Sequence, residues 1–327
     1  MSKRKTNSRF VVAALILILV LVMIYSGLRI LESTVFYSQP EEKPAATKTI
    51  TRDGIDYFPR QDITVLLVMG IDEEGIVKDS GSYRNNGEAD MVALLILDQS
   101  DETYTVLPLN RDMMLQMPAL GIGGKEAGTF YGQLALSHTY GSGLADSAEN
   151  TRKTVSNLFY GITIDHYVAM NMDAIGILND AVGGVKVTVV DDFSKVDSTL
   201  TKGEVVLNRE QALNFVRTRK DVGNQLNLSR MERHKEYLLG LTAALSENLH
   251  GSDSFTVELY EEMSPYMVTD CSVNAISGLL QRCADYSMKG IVSIAGENKL
   301  GEEYYEFYAD AEKLDTLILQ LFYAPKN

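Results

Sequence analysis

The chain predicts a mixed α/β (α+β) fold, a central mixed β-sheet flanked by helices, preceded by one N-terminal transmembrane helix. Three observations predict it. Phe10 to Leu28 is a nineteen-residue stretch without charge, bracketed by Arg9 and Arg29. Further on, short β-branched apolar runs stop at glycine or charged residues, which reads as buried strand. These runs interleave with segments of helical periodicity, the pattern of a sheet covered by helices. A length of 327 residues, 45% hydrophobic and 23% charged, is ordinary globular composition and excludes a disordered, collagen-like or disulfide-stapled chain.

The apolar heart of the first segment, VVAALILILVLVMIY, has no polar face. At about 1.5 Å per residue it spans a hydrocarbon core of roughly 30 Å. A cleaved signal peptide would have a shorter apolar region followed by an Ala-x-Ala-like site, whereas Tyr25–Ile30 offers only Ser26-Gly27 as small residues. The expectation is an uncleaved signal anchor over 10–31. Residues 1–9 carry Lys3, Arg4, Lys5 and Arg9 and no acid, so they form a basic cytoplasmic tail. That topology is single-pass, N-terminus inside and the rest outside. Beyond residue 9 the chain holds 26 basic and 44 acidic side chains, a balance of −18. Such acidity argues against nucleic acid as a partner. Residues 32–54 are expected to be an extracytoplasmic linker. Within it SQPEEKPAATKTITR (38–52) reaches about 45 Å if mostly extended. One folded domain is expected over 55–327.

Within that domain Ile63–Met69, Met91–Leu97 and Tyr104–Leu109 read as strands. Ser147–Phe159 and Met172–Ala181 read as helices. Gly183-Gly184 turns the chain into the alternating strand Val185–Val190. Asn208 opens a helix with Gln211 as its capping-box partner, and Leu228 to Asn248 is a longer helix. Ser272–Asp285 reads as a helix capped by Asp270 or Ser272. Strand 290–294 and helix 310–323 finish the chain. Cys271 and Cys283 are twelve residues apart on that reading, about 18 Å along a helix, beyond the reach of a disulfide. Two free, mostly buried thiols are expected, and neither has the paired spacing of a zinc site. Glu73–Glu88 and Gly121–Gly143 read as loops. The second holds seven glycines without the GxxxxGK pattern of a phosphate loop.

Three clusters of residues could carry chemistry. Asp72 follows the first strand and Asp90 precedes the second, so adjacent strand ends can pair two carboxylates. Oxygen donors of this kind suit Mg²⁺ or Mn²⁺, although acids at strand ends commonly serve only as turn residues. Arg111-Asp112 follows the third strand, and a guanidinium binds phosphate oxygens in pairs. The third cluster is basic. Arg217 and Arg219 share a face if that segment is extended, and Arg230, Arg233 and His234 share one helix face. In so acidic a domain, this patch is balanced either by internal acids or by a bound phosphate. No G-x-S-x-G elbow and no HExxH is present, so an esterase or zinc protease finds no support.

Seven motifs in order resemble the LytR–CpsA–Psr proteins of bacterial cell envelopes. VLLVMGID and EADMVALLILD are similar to the family's first two strands with their metal aspartates, here Asp72 and Asp90. VLPLNRDMML resembles the Pro-Arg-Asp motif, here Asn110-Arg111-Asp112. LALSHTYGSG resembles the segment the family usually writes Ile-Asn-His-Ala-Tyr. IDHYVAMNMDAIGILNDAVGGVKVTV resembles the stretch leading into the Gly-Gly-Val strand. LNREQALNFVRTRK resembles the motif with two functional arginines, here Arg217 and Arg219, and NLSRMERHK the segment with a third, here Arg230.

The resemblance implies a metal-dependent phosphotransferase. It would move a glycopolymer, of teichoic acid or capsular polysaccharide type, from a polyprenyl-pyrophosphate carrier to peptidoglycan. It implies Mg²⁺ (or Mn²⁺) on Asp72 and Asp90, and Arg111, Arg217, Arg219 and Arg230 on the pyrophosphate. Asp72 is also a candidate to accept the sugar hydroxyl's proton.

Two positions depart from the family. Glu88 stands where an arginine is usual, two before Asp90, and His234 stands where a glutamine is usual. Either Arg84 swings in from the loop, or Glu88 acts as an added metal ligand, or activity is lost. His234 can still donate a hydrogen bond to the substrate. The competing reading is a non-catalytic envelope protein that binds polyprenyl-phosphate or glycan in a regulatory or scaffold role. A third is hydrolysis of the lipid pyrophosphate.

Overall fold

The computed structural model describes residues 49–121, 124–218, 221–222, 227–251, 254–302 and 304–326. The expected tail (1–9) and anchor (10–31), the linker up to residue 48 and Arg219 lie outside them. Among the described residues no helix is long and apolar enough to cross a membrane. The folded unit comprises residues 46–327.

Its frame is a six-stranded mixed sheet. The strands are β3 (Ile63–Ile71), β4 (Ala89–Asp98), β5 (Thr103–Leu109), β8 (His166–Asn171), β11 (Met267–Thr269) and β12 (Ser287–Ile291), in the order β11-β8-β3-β4-β5-β12. β3, β4 and β5 form an antiparallel meander. β8 joins β3 in parallel and β12 joins β5 in parallel, while β11 runs antiparallel to β8. The continuous Ile63–Met69 run is explained by burial on both faces. One face packs Leu67, Met69, Leu94 and Leu107 with Phe159 and Phe322. The other packs Leu66, Leu97, Tyr104 and Val106 against Cys271 and Leu279.

Among the described residues seven helices surround the sheet: α1 (Ala145–Leu158), α2 (Met172–Ala181), α3 (Arg209–Arg217), α4 (Asn227–Gly251), α5 (Phe255–Met263), α6 (Val273–Asp285) and α7 (Ala311–Phe322). Their starts follow local chemistry. Asn171 caps α2, accepting from the Asp173 and Ala174 amides. Asn208 and Gln211 form the expected capping box on α3, and Ser272 caps α6. α2 ends where Gly183 and Gly184 take φ of 78° and 97°, a left-handed backbone that glycine adopts without a Cβ clash. The chain then turns into β9 (Val185–Val189), which pairs with β10 (Gly203–Leu207). α2, α3, α4, α5 and β9 enclose a second core around Val185, Val187, Phe193 and Phe215. Cys271 and Cys283 are both free; the first is buried and the second partly so.

Three expectations need correction. The linker does not extend to residue 54: β1 (Ile50–Arg52) pairs with β2 (Ile55–Pro59), β2 pairs with β13 (Tyr323–Pro325), and Arg52 contacts Asp315 on α7. Gly121–Gly143 is not one loop. β7 (Glu126–Gln133) pairs with β6 (Met114–Leu120), and a 3₁₀ helix follows over Leu134–Thr139. Most of β7 is exposed, so it carries little of the apolar alternation that marks a strand. The strand expected at 290–294 lies at Ser287–Ile291.

Candidate active site

Topology brings the expected carboxylates to one end of the central sheet. β3 ends at Ile71 as β4 begins at Ala89, because the two are antiparallel, and β5 ends at Leu109 opposite Val92. Asp72, Glu88, Asp90, Arg111 and Asp112 therefore share one rim. A bulge sets Asp90. Gly70 pairs with Met91 and Ile71 with Ala89, leaving Asp90 as the extra residue on β4. Bulges of this kind re-aim a side chain at a strand end. Main-chain bonds fix the corner: the Asp72 amide donates to the Glu88 carbonyl at 2.9 Å and the Asp90 amide to the same carbonyl at 3.1 Å.

Two layers of ion pairs occupy this rim. In the inner layer Arg111 contacts Asp90 through Nη1, and reaches Glu88 at 2.8 Å and Asp112 at 3.3 Å. Arg230, a buried residue of α4, reaches the other Asp90 oxygen at 3.1 Å. In the outer layer Arg217 is half-exposed and pairs with Glu74 at 2.6 Å and Asp72 at 3.5 Å. Three arginines thus face five carboxylates in these pairs, an excess of two negative charges. Glu74 and Asp112 carried no metal or phosphate assignment from the sequence. Glu74 sits in a polar loop, and its partner lies 143 residues away.

Glu88 and Asp90 do face the same side, since one guanidinium bridges both. The expected metal set Asp72, Glu88 and Asp90 does not draw its oxygens together within 4.8 Å, because guanidinium groups take them. In kind the donors suit a hard divalent cation, and the two surplus negative charges match its charge.

Arg84 does not enter the cluster. Its guanidinium lies 4.1 Å from the centre of the Tyr140 ring, and among the described residues it makes no ion pair. The stacking follows from its loop being tied to the 3₁₀ helix. The Asn85 amide side chain donates to the His138 and Gly141 carbonyls and to the Ser147 hydroxyl, at 2.9–3.0 Å. The His138 Nδ1 bonds the Gly87 carbonyl at 2.8 Å, and burial pushes its pKa down. His138 thus holds the turn that delivers Glu88.

The arginine face of α4 divides its work. Only Arg230 turns to the strand ends. Arg233 donates to the Phe215 carbonyl at 2.9 Å, contacts the Thr218 carbonyl and pairs with Asp191 at 2.7 Å. His234, expected among the phosphate-binding residues, is partly buried and its Nε2 donates to the Val216 carbonyl at 2.8 Å. Burial, with Arg230 and Arg233 nearby, lowers its pKa to about 4, so it is neutral near pH 7. These two side chains satisfy carbonyls that the C-terminus of α3 leaves without helical partners. They fix where the helix stops. It stops at Arg217, the last helical residue rather than part of an extended segment.

Known proteins resemble this chain over most of the folded unit. The polyisoprenyl-teichoic acid–peptidoglycan teichoic acid transferase TagU of Enterococcus faecalis is 31% identical over 208 residues, 63% of this chain and 61% of that protein. TagV of Bacillus subtilis, a transferase of the same designation, is 29% identical over 277 residues, 80% of this chain and 65% of that protein. The chain thus matches slightly under two thirds of the length of these relatives. The crystal structure of B. subtilis TagV superposes with a TM-score of 0.60 at 25% identity, over 80% of this chain and 96% of TagV. A structure of TagT bound to LI-WTA, at 24% identity, shares the fold with a TM-score of 0.60 over 80% of this chain and 90% of that one. With the family model matching residues 31–321, the chain belongs to the LytR_cpsA_psr family.

Proposed function

We propose that this chain is a membrane-anchored, extracytoplasmic phosphotransferase. It moves a glycopolymer of teichoic acid or capsular polysaccharide type from a polyprenyl-pyrophosphate carrier to peptidoglycan. The observation that carries the reading is the convergence of Arg111, Arg217 and Arg230, from three distant segments, on the carboxylates of one sheet end. The names of the matched relatives support the same chemistry.

In the proposed reaction a sugar hydroxyl of peptidoglycan attacks the phosphorus on the glycan side of the pyrophosphate. A new P–O bond forms, the bond to the lipid phosphate breaks, and polyprenyl phosphate leaves. Arg217, half-exposed at the rim, meets the incoming pyrophosphate first. Arg111 and Arg230 lie deeper and stabilise charge on the leaving phosphate. Asp72, at the same rim, accepts the hydroxyl proton. Positioning and electrostatics carry most of the barrier reduction in phosphoryl transfer. A divalent cation, Mg²⁺ or Mn²⁺, would be held by Asp72 and Asp90 with Glu88 as a further oxygen donor, and would neutralise pyrophosphate charge.

The test incubates the full chain in detergent with a synthetic polyprenyl-pyrophosphate saccharide and a peptidoglycan oligomer, with Mg²⁺ and with chelator. A phosphodiester product that disappears with chelator supports the proposal. Tight lipid binding without turnover in either condition favours the non-catalytic reading, for which the Glu88–Arg111 pair supplies a reason. Polyprenyl phosphate released without acceptor points to hydrolysis.

A further inference from the structure

A second group of potential ligands meets where β8 begins. Antiparallel pairing of β11 with β8 runs from Met267↔Met170 to Thr269↔Val168. Continued by two residues, that register sets Asp270 beside Tyr167 and Cys271 beside His166. Other contacts hold the arrangement. The Tyr167 amide donates to Asp270 Oδ1 at 2.9 Å, and the Thr269 hydroxyl donates to the Tyr167 carbonyl at 2.6 Å. Arg152 reaches Asp270 Oδ2 at 3.4 Å and is itself paired with Glu149 at 2.6 Å.

The distances inside the trio are too long for good hydrogen bonds and too short for indifference. His166 Nδ1 is a buried nitrogen without a hydrogen-bond partner, 3.6 Å from Asp270 Oδ1. The Cys271 sulfur is 3.9 Å from the same oxygen, and Cys271 is only 4% exposed. One ligand atom from each of the three residues lies within 4.8 Å of the other two. Zinc bonds of about 2.0–2.3 Å in tetrahedral geometry place neighbouring donors roughly 3.3–3.8 Å apart. The 3.6 and 3.9 Å separations from Asp270 are close to the edges of such a coordination sphere.

We propose that His166, Asp270 and Cys271 form a binding site for Zn²⁺ or a similar borderline divalent cation. Cys271 and the imidazolium that Asp270 favours at His166 each lose a proton to solvent on binding, so one thiolate and one carboxylate balance the ion's charge. The imidazole supplies the third donor, and one tetrahedral position is left for water. Thiolate and imidazole select against Mg²⁺, which prefers oxygen. Arg152 and the Tyr167 amide orient the carboxylate from outside the coordination sphere. The site is distinct from the arginine cluster: His166 and Asn171 are the two ends of β8, about 16 Å apart along a strand, and Asn171 is the end near that cluster. A bound ion there would fasten β8, β11 and the start of α6 to one another.

The test uses the full chain, stripped with chelator and reloaded with Zn²⁺ or Co²⁺. The expected result is one thiolate-bound ion per chain, beyond any ion held at the rim, and, with Co²⁺, a thiolate-to-cobalt charge-transfer band. Both should be lost in Cys271→Ser and in His166→Ala, and kept in Cys283→Ser. Zn²⁺ should raise the melting temperature of the wild type and not that of Cys271→Ser, and Mg²⁺ should do neither. A cobalt spectrum without a thiolate band, or zinc retained equally by wild type and Cys271→Ser, would overturn the proposal. The wild-type spectrum decides even if His166→Ala fails to fold.

Discussion

At the end of the central sheet where β3 begins, Arg60 reaches Asp62 at 2.6 Å and Asp98 at 2.8 Å, and the Ser100 hydroxyl donates to both carboxylates. At the opposite end, Arg111, Arg217 and Arg230 meet five carboxylates. The first group is closed. One cation with a side chain 19% exposed is shared by two neighbouring acids, and the arrangement staples the start of β3 to the end of β4. Its carboxyl groups show the effect. Hydrogen bonding to Arg60 holds the Asp62 pKa down to about 2. Burial raises that of Asp98, but Arg60 and Ser100 overcome it and leave it low. The second group is open. Its cations come from three segments, and Arg217 keeps 46% of its side chain in solvent. A guanidinium–carboxylate cluster therefore marks a site only when its donors remain reachable.

The largest expected break in this comparison is Arg230→Ala. It strips a buried partner from Asp90, so transfer falls on the order of 10²–10³-fold, and urea melts lose about 3 kcal/mol. Arg217→Ala should reduce both lipid binding and transfer by about 10²-fold, while stability changes by less than about 1 kcal/mol, the value of an exposed pair. Equal destabilisation by the two variants would erase the distinction between inner and outer layers. Arg60→Ala should do the reverse, costing about 2 kcal/mol of stability with unchanged turnover. Its acid unfolding should also begin at higher pH. Asp62 ionises in the folded protein at about 2, against about 3.9 in an unfolded chain. Its contribution is present above about 3.9 and fades as pH falls through 2. Without Arg60 that contribution is gone.

His234→Gln sharpens the comparison at smaller scale. The folded imidazole has a pKa of about 4, against about 6.5 unfolded. The unfolded chain takes up a proton first, so wild-type stability should decline as pH drops from about 6.5 to about 4 and then level off. Glutamine does not titrate, so the variant's melts should lack that decline. The smallest effect belongs to Glu88→Gln. Its side chain is 39% exposed, so stability should move by less than about 1 kcal/mol, and the chelator-sensitive product shows whether Glu88 bears on turnover.

The rim was readable from sequence where strong local signals bounded it. β3, β4 and β5 are continuous apolar runs, so the residues that follow or precede them, Asp72, Asp90 and Arg111, were placed at strand ends. What escaped has no local signal. Glu74 meets Arg217 only because α3 stops at that residue. The spacing of Arg230, Arg233 and His234 put them on one helix face without saying which would reach Asp90 and which would cap α3. Cys271 and His166 come from segments about a hundred residues apart and meet through an edge strand of three residues, too short to carry a period. β7, mostly exposed and broken by Gly128 and Gly132, read as loop for the same reason.

The order in which the rim is synthesised follows from its topology. Asp72, Glu74, Glu88, Asp90, Arg111 and Asp112 all precede residue 113, whereas Arg217 and Arg230 come roughly a hundred residues later. A chain growing from its N-terminus therefore first builds a rim of five carboxylates and one arginine. That half-made surface repels anionic phosphate groups. On the proposed function, the rim becomes receptive only when the last two guanidinium groups dock, and a truncated or incompletely folded copy would not sequester the carrier lipid.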